Sequence, residues 1–296
     1  MAPVFAFLAA CCWGTAAVLN RLGLRHIHTT TGTFISMVVS FIFILVVTLI
    51  AGLDSLLVVP ALAFGWLALQ GVLNFVIGRF LNMTSVGMAG ASRATPIISI
   101  SPLFAAVFAF IFLGERPNVY LILGTLSIIG AVALIVSQSL SDAGGKADGR
   151  KTTLIGCLAG LGSAIGYGAS NVVTREVVTN YTTPLVASTF ALMFGTLYLF
   201  PMAFRNLSEL RNTSVHGIGY IALGGMLQGV GVTLMMTALS RAPVVVATPI
   251  GSLNPLVALV LAQIFLKQME RITPRIIVGT VLAVGGVVLV VLGRNL

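Results

Sequence analysis

Long uncharged runs constrain this chain more than any other feature of its sequence. The segment Thr33–Leu53 contains no charged side chain, and a run of about 18 or more such residues is typical of a membrane-spanning helix. Only 8% of the residues are charged, whereas a soluble domain carries about 25%. The chain has too little polar surface to cover itself in water, and the sequence therefore predicts an integral membrane protein.

Charges, Gly/Pro positions and polar clusters divide the apolar sequence into ten predicted spans. These spans cover residues 3–20, 31–52, 60–81, 88–113, 118–138, 153–174, 184–204, 215–238, 243–266 and 275–293. The one long polar stretch, residues 139–153, has the composition of a flexible linker. It separates a first five-helix unit, residues 1–138, from a second, residues 154–296.

The two units are predicted to be copies of each other. WGTAAVLNR at Trp13–Arg21 aligns with YGASNVVTR at Tyr167–Arg175 at an offset of 154, and TPIISISP at 95–102 aligns with TPIGSLNP at 248–255 at an offset of 153. Two further motifs follow in the same order. A unit of five spans starts and ends on opposite faces of the membrane, so the second unit is inverted. Inverted repeats around a midplane site are a transporter architecture.

These motifs together resemble the drug/metabolite transporter superfamily, EamA type. The resemblance rests on the paired five-span halves, the aromatic-Gly pairs of spans one and six, SPLFAAVFAFIFLGER at 101–116 and the Gly-rich last span of each half. It implies an all-α fold of ten transmembrane helices, a central cavity, and transport of small organic solutes, commonly export. The second half departs from the family pattern after span nine, where LKQMER replaces a tighter Gly-Glu.

Paired prolines interrupt the predicted fourth and ninth spans. Proline inside a helix removes a hydrogen bond and clashes with the preceding turn, and such breaks are tolerated in lipid where they face protein or a wet cavity. We predict that these prolines act as gating hinges beside the transport path. The alternative is that they only kink the helices for close packing. The predicted hinge residues are Pro96, Pro102, Pro249 and Pro255.

Polar and aromatic residues within the spans are the candidates for substrate binding, because such groups normally face a cavity. Arg79 and Arg93 are the deepest charges; they either hold a carboxylate or phosphate or reach the interface as anchors. Trp13 and Tyr167 are repeat equivalents that either pack in the bundle or wall the cavity. The predicted substrate-binding residues are Trp13, Asn20, Gln70, Asn74, Arg79, Arg93, Ser99, Tyr167, Asn171, Gln228, Ser252 and Asn254.

Several function classes are disfavoured by what the sequence lacks. The Lys and Arg residues occur singly at span ends rather than in the basic cluster that nucleic-acid binding requires. There is no Walker-type loop for ATP, no metal-ligand spacing and no catalytic constellation, so we predict neither a cofactor nor an enzyme. The expected partners are a small-molecule substrate and the lipid bilayer, and nothing in the sequence is incompatible with a monomer.

The predicted location is the cell (inner) membrane, with multiple spans. Leu8-Ala9-Ala10-Cys11 looks like a lipoprotein processing site, but no Lys or Arg precedes it, whereas a cleaved signal begins with basic residues; we treat it as part of the first span. Family resemblance places both termini in the cytoplasm. The distribution of Lys and Arg between loops favours the opposite orientation, and the sequence leaves the two indications in conflict.

The function predicted from the sequence is secondary transport of a small organic metabolite, specifically export. An amino-acid-like or otherwise carboxylate-bearing substrate is expected, moved by alternating access of the two halves. The alternative is a broad-specificity exporter of drugs or cationic compounds. The lack of an acidic residue in the middle of any predicted span counts against that alternative, since all seven acidic residues fall in loops or at span ends.

Overall fold

The computed structural model describes residues 1–23, 27, 29–89, 97–141, 150–204, 215–265 and 274–293, and all regular structure in these residues is helical. The helices of the first half are α1 (Ala2–Gly23), α2 (Thr29–Ala51), α3 (Leu53–Leu57), α4 (Ala61–Gly71), a π-helical segment (Val72–Phe80), α5 (Leu81–Ala89), α6 (Ser101–Leu113) and α7 (Val119–Ser141). Those of the second half are α8 (Arg150–Asn180), α9 (Pro184–Phe204), α10 (Val215–Arg241), α11 (Val244–Gly251), α12 (Asn254–Phe265) and α13 (Pro274–Gly293).

Helix covers both ends of the segment predicted to be a linker. Helix α7 continues to Ser141, and α8 begins at Arg150, because neither edge of this segment contains the Gly or Pro that would stop a helix. Its centre, residues 142–149, lies outside the described residues.

Five helical stretches in the described part of the chain are long and apolar enough to cross a membrane. They are Ala2–Asn20, Thr31–Ala51, Ala61–Phe80, Pro184–Pro201 and Val215–Arg241, and Thr31–Ala51 reaches a mean hydropathy of 2.9. Large apolar side chains remain exposed on the outside of the bundle, among them Ile50 and Phe112. Extended apolar surface of this kind requires an apolar partner, and a lipid bilayer provides it.

The first helix of each half packs into the other half. Helix α1 lies against α10 and α12, while α8 lies against the π-helical segment, α5 and α6. The last helices, α7 and α13, pack on each other where Gly124 and Gly286 meet. A Cβ atom at Gly124 would lie 2.7 Å from the carbonyl oxygen of Gly286, so small residues permit the close backbone approach that helix association in lipid favours.

The two proline motifs form matching helix interruptions rather than kinks within one helix. The amide of Ile100 bonds the carbonyl of Ile97 at 3.3 Å, and its repeat equivalent Leu253 bonds Ile250 at 3.2 Å. A new helix begins directly after each of these tight turns. The prediction that Pro102 and Pro255 break a helix interior is therefore wrong, because both lie in the first turn of α6 and α12, where a missing amide costs no hydrogen bond.

Only one of the remaining two prolines lies within the described residues. Pro249 lies inside α11 and is buried, as predicted for a helix interior. Pro96 lies outside the described residues.

Glu115 connects the end of α6 to the start of α11. Gly114 ends α6 in the left-handed conformation with φ 66°, which only glycine adopts without strain. The Glu115 carboxylate then accepts hydrogen bonds from the amides of Val244 at 2.9 Å and Val245 at 3.2 Å. It thus caps the N-terminus of a helix from the other half, where a negative charge is favoured.

Candidate functional site

A cavity of about 480 Å³ lies between the two halves of the chain, a volume within the range of small-molecule sites. Both halves contribute to its walls through α1, the π-helical segment, α8, α10 and the two helix interruptions. Of the residues predicted from the sequence, those that line it are Trp13, Asn20, Gln70, Asn74, Arg79, Ser99, Pro102, Tyr167, Asn171, Gln228, Ser252, Asn254 and Pro255.

Pro249 is the predicted residue that the structure describes and that does not line the cavity. It is buried within α11. Arg93 and Pro96 lie outside the described residues. That the lining residues bind a substrate, and that the prolines act as hinges, stay predictions.

Arg79 joins a polar cluster that spans the two halves. Its guanidinium donates to Gln228 Oε1 at 3.0 Å, and Ser36 Oγ donates to the same oxygen at 3.3 Å. The Tyr167 side chain lies close to Arg79 and hydrogen-bonds with Asn82. All of the described residues that line the cavity are uncharged apart from Arg79, so the cluster has a positive charge without a carboxylate beside it.

Two aromatic side chains rest on glycines of the opposite half. A Cβ atom at Gly231 of α10 would lie 2.6 Å from Trp13 Nε1 of α1, and a Cβ atom at Gly78 would lie 2.6 Å from Tyr167 Cε1 of α8. The two contacts are repeat equivalents, since Gly78 and Gly231 are 153 residues apart and Trp13 and Tyr167 are 154 apart. Only glycine leaves room for these rings, so each pair fixes one aromatic wall of the cavity.

The π-helical segment accommodates one extra residue in the first half. LALQGVLN at 67–74 matches IALGGMLQ at 221–228 at an offset of 154, whereas Gly78 matches Gly231 at 153. The π-helix bonds residue i to i+5 and so takes up the additional residue without breaking the helix. The change of offset between spans one and four was the sequence signal for this insertion, and the insertion was not predicted from it.

The wider turn changes which side chains point into the cavity. On an α-helix Asn74 and Arg79 would lie about 140° apart. Bonding between residues five apart brings such positions onto one side, and both residues line the cavity. π-helical turns occur frequently at functional sites, and here the turn carries Arg79, the charged residue among the described lining residues.

Apolar lining residues from α2 and α10 were not predicted from the sequence. Met37, Met235, Met236 and Leu239 line the cavity, and they were overlooked because apolar residues in a spanning helix do not stand out. Within the described part of the chain, no group of His, Cys, Asp and Glu is placed to hold a metal ion.

An apolar helical bundle whose two repeated halves enclose a cavity with polar side chains in its lining is typical of one class of protein, the membrane transporters. Comparison with known families gives the more particular assignment. The chain belongs to the EamA-like transporter family, which matches residues 1–137 and 154–292. The match confirms the family resemblance found in the sequence. It also confirms the prediction of a membrane protein with repeats.

Two individual proteins are similar to this chain. The "Probable terminal-alkyne amino-acid exporter" of Streptantibioticus cattleyicolor is 30% identical over 209 residues, which cover 69% of this chain and 66% of that protein. The match therefore spans just under two thirds of the relative's length. A protein with a known crystal structure, 17% identical, superimposes with a TM-score of 0.77 over 99% of this chain and 97% of its own; at that identity it shows the fold alone.

Proposed function

We propose that the chain is a secondary transporter that exports a small organic metabolite bearing a carboxylate, with an amino-acid-like compound as the substrate. The observation that carries this proposal is the position of Arg79 in the cavity between the halves, with no acidic side chain among the described lining residues. A relative named as an amino-acid exporter supports the same substrate class.

Arg79 has the geometry of a substrate clamp rather than of a membrane anchor. An anchoring arginine extends toward the head groups, whereas the guanidinium of Arg79 is held by Gln228 of the opposite half. A guanidinium can bind a carboxylate through two parallel hydrogen bonds. Because an unpaired charge is costly within a membrane protein, a substrate carboxylate would complete this site.

The lining also has capacity for a hydrogen-bond donor such as an ammonium group. Gln70, which lines the cavity, has a buried Oε1 with no hydrogen-bond partner among the described residues. A buried acceptor without a partner costs about 1–3 kcal/mol. A substrate with both a carboxylate and an ammonium group would therefore use both kinds of polar group in the cavity. A cationic drug would instead place a second positive charge near Arg79, so the alternative exporter class is not adopted.

Alternating access is the proposed mechanism, with ten spans arranged as two inverted repeats. The matching interruptions at Ser99–Ile100 and Ser252–Leu253 are the points at which α6 and α12 could reorient relative to the preceding turns. Reporter fusions at residues 1, 296 and 145 test the arrangement. Both termini should lie on one side of the membrane and residue 145 on the other, and termini on opposite sides would contradict it.

Replacing Arg79 tests the substrate site. Thermal unfolding of the purified protein is measured with amino acids, organic acids, nucleobases and cationic dyes, since a ligand at 100 times its Kd stabilises the native state by about 2.7 kcal/mol. Arg79→Lys keeps the charge but loses the bidentate geometry. A lost hydrogen bond to a charged group is worth about 1.5–3 kcal/mol, so binding of the carboxylate should weaken roughly tenfold to hundredfold.

Arg241→Lys is the matched control, because Arg241 lies over the Phe5 ring and is not among the cavity-lining residues. It should leave binding unchanged. Equal carboxylate binding by wild type and Arg79→Lys would show that Arg79 is an anchor, and stabilisation by cationic dyes alone would favour the alternative exporter.

A further inference from the structure

The cavity has two walls that are repeat equivalents but differ in polarity. One wall, which we call the α8/π wall, is formed by α8 packed on the π-helical segment and α5; the other, the α1/α10 wall, is formed by α1 packed on α10. At the offset of 154, Tyr167 corresponds to Trp13 and Asn171 to Ala17. The first wall thus has a phenol and an amide where the second has an indole and a methyl group.

The same contrast in polarity holds for the helices that pack against α8 and α1 in the two walls. At the offset of 153, Arg79 and Asn82 of the α8/π wall correspond to Val232 and Met235 of the α1/α10 wall. All four residues line the cavity. At these four pairs of positions the polar side chains of the α8/π wall are replaced by apolar side chains in the α1/α10 wall, whereas the equivalent residues Asn74 and Gln228 are polar on both walls.

Trp13 and Met235 of the α1/α10 wall form an apolar surface beside Gly251. From the position that a Cβ atom would take at Gly251, Met235 Sδ lies 3.3 Å away and Trp13 Cζ3 lies 3.8 Å away, so the thioether and the indole both border this position. Methionine adapts its shape to a bound apolar group.

Two polar residues of this wall do not disturb that surface. Gln228 is engaged by Arg79 and Ser36, and Asn20 Oδ1 packs against Gly224.

We propose that the substrate is an amphipathic amino acid, with its carboxylate on the α8/π wall at Arg79 and an apolar side chain lying on the α1/α10 wall against Trp13 and Met235. This inference rests on the proposed function, since it assigns the second half of the same cavity. Burial of an apolar side chain against this wall releases water from apolar surface on both partners and strengthens binding in proportion to the area covered.

A series of amino acids with identical head groups tests the inference. Binding to the purified full-length protein is measured by thermal shift for alanine, 2-aminobutyrate, norvaline and norleucine, and for asparagine and glutamine as polar side chains of similar length. Affinity should rise about fourfold for each added methylene, the factor that burial of one CH₂ group produces. Asparagine and glutamine should bind more weakly than norvaline and norleucine.

A pair of matched variants locates the effect. Met235→Ala shortens the apolar wall, and Met226→Ala removes an exposed methionine of the same helix that does not line the cavity. Met235→Ala should weaken norleucine binding about tenfold and alanine binding much less, whereas Met226→Ala should change neither. The wild-type series remains decisive if Met235→Ala does not fold.

The outcomes separate this inference from the proposed function. The apolar wall would be overturned if affinity did not rise along the series, or if asparagine bound as tightly as norvaline. If the methyl ester of norvaline then fails to bind, the carboxylate site still stands. Equal binding of norvaline and its methyl ester would remove the carboxylate site, and the inference would fall with it.

Discussion

Adding one methyl group at Gly78 should disturb the cavity more than its size suggests. The Cβ atom of Gly78→Ala would lie 2.6 Å from Tyr167 Cε1 and 2.7 Å from Cδ1. The ring has little room to withdraw, because α8 rests directly on this backbone: Ser163 Oγ donates to the Gly78 carbonyl at 2.7 Å, and a Cβ atom at Gly166 would lie 3.0 Å from the Gly78 nitrogen.

The magnitude follows from the missing space. Carbon atoms attract at about 3.5 Å and beyond, so the 2.6 Å contact is short by about 0.9 Å. Overpacking of this kind costs about 1–3 kcal/mol. Gly65→Ala is the matched control in the same span, because nothing lies within 4 Å of its Cβ position. There the better helix propensity of Ala should stabilise the protein by up to about 1 kcal/mol.

Thermal unfolding and carboxylate binding of the two variants are the assays. Gly78→Ala should melt below wild type and Gly65→Ala at or above it. Because Tyr167 lies beside Arg79 and Asn82, displacement of its ring should also weaken carboxylate binding. We expect this weakening in Gly78→Ala and not in Gly65→Ala. A Gly78→Ala protein as stable as Gly65→Ala, with unchanged binding, would refute the assignment of Gly78 as a rigid seat for Tyr167.

Two further predictions concern the helix ends beside the cavity. Glu115→Ala leaves the buried amides of α11 without their cap and should destabilise the protein by about 1–3 kcal/mol. The unfolding temperature measures this effect, with replacement of the exposed neighbour, Arg116→Ala, as the control. Equal effects of the two substitutions would argue against the cap. Pro102→Ala and Pro255→Ala should lower stability by only about 0.4–1 kcal/mol and keep the rate of transport per folded protein. Pro249→Ala restores a hydrogen bond inside a helix and should slow transport. Loss of transport in Pro102→Ala and Pro255→Ala but not in Pro249→Ala would contradict this pair of predictions.

Much of the site could be predicted from the sequence because lipid restricts where polar groups can go. A polar side chain in a spanning helix must face protein or water, so the positions of Gln70 and Asn74 within an apolar span were enough to assign them to a cavity, and both line it. For Arg79 the sequence left the cavity and the membrane interface as alternatives, and the structure places it in the lining. The same reasoning fails for Met235, since an apolar side chain is equally stable facing lipid, protein or an apolar substrate. Composition therefore indicates which polar residues turn inward but not which apolar residues accompany them.

The membrane character, the helical fold and the internal repeat all follow from the linear sequence, because hydropathy and repeated motifs are properties of neighbouring residues along the chain. The prolines also located both helix interruptions. The seating of Trp13 and Tyr167 on glycines of the opposite half and the bond between Arg79 and Gln228 arise only when the chain packs. These features join residues that are far apart in the sequence, 149 positions for the Arg79 bond, and their energies depend on distances that exist only once the two halves have come together.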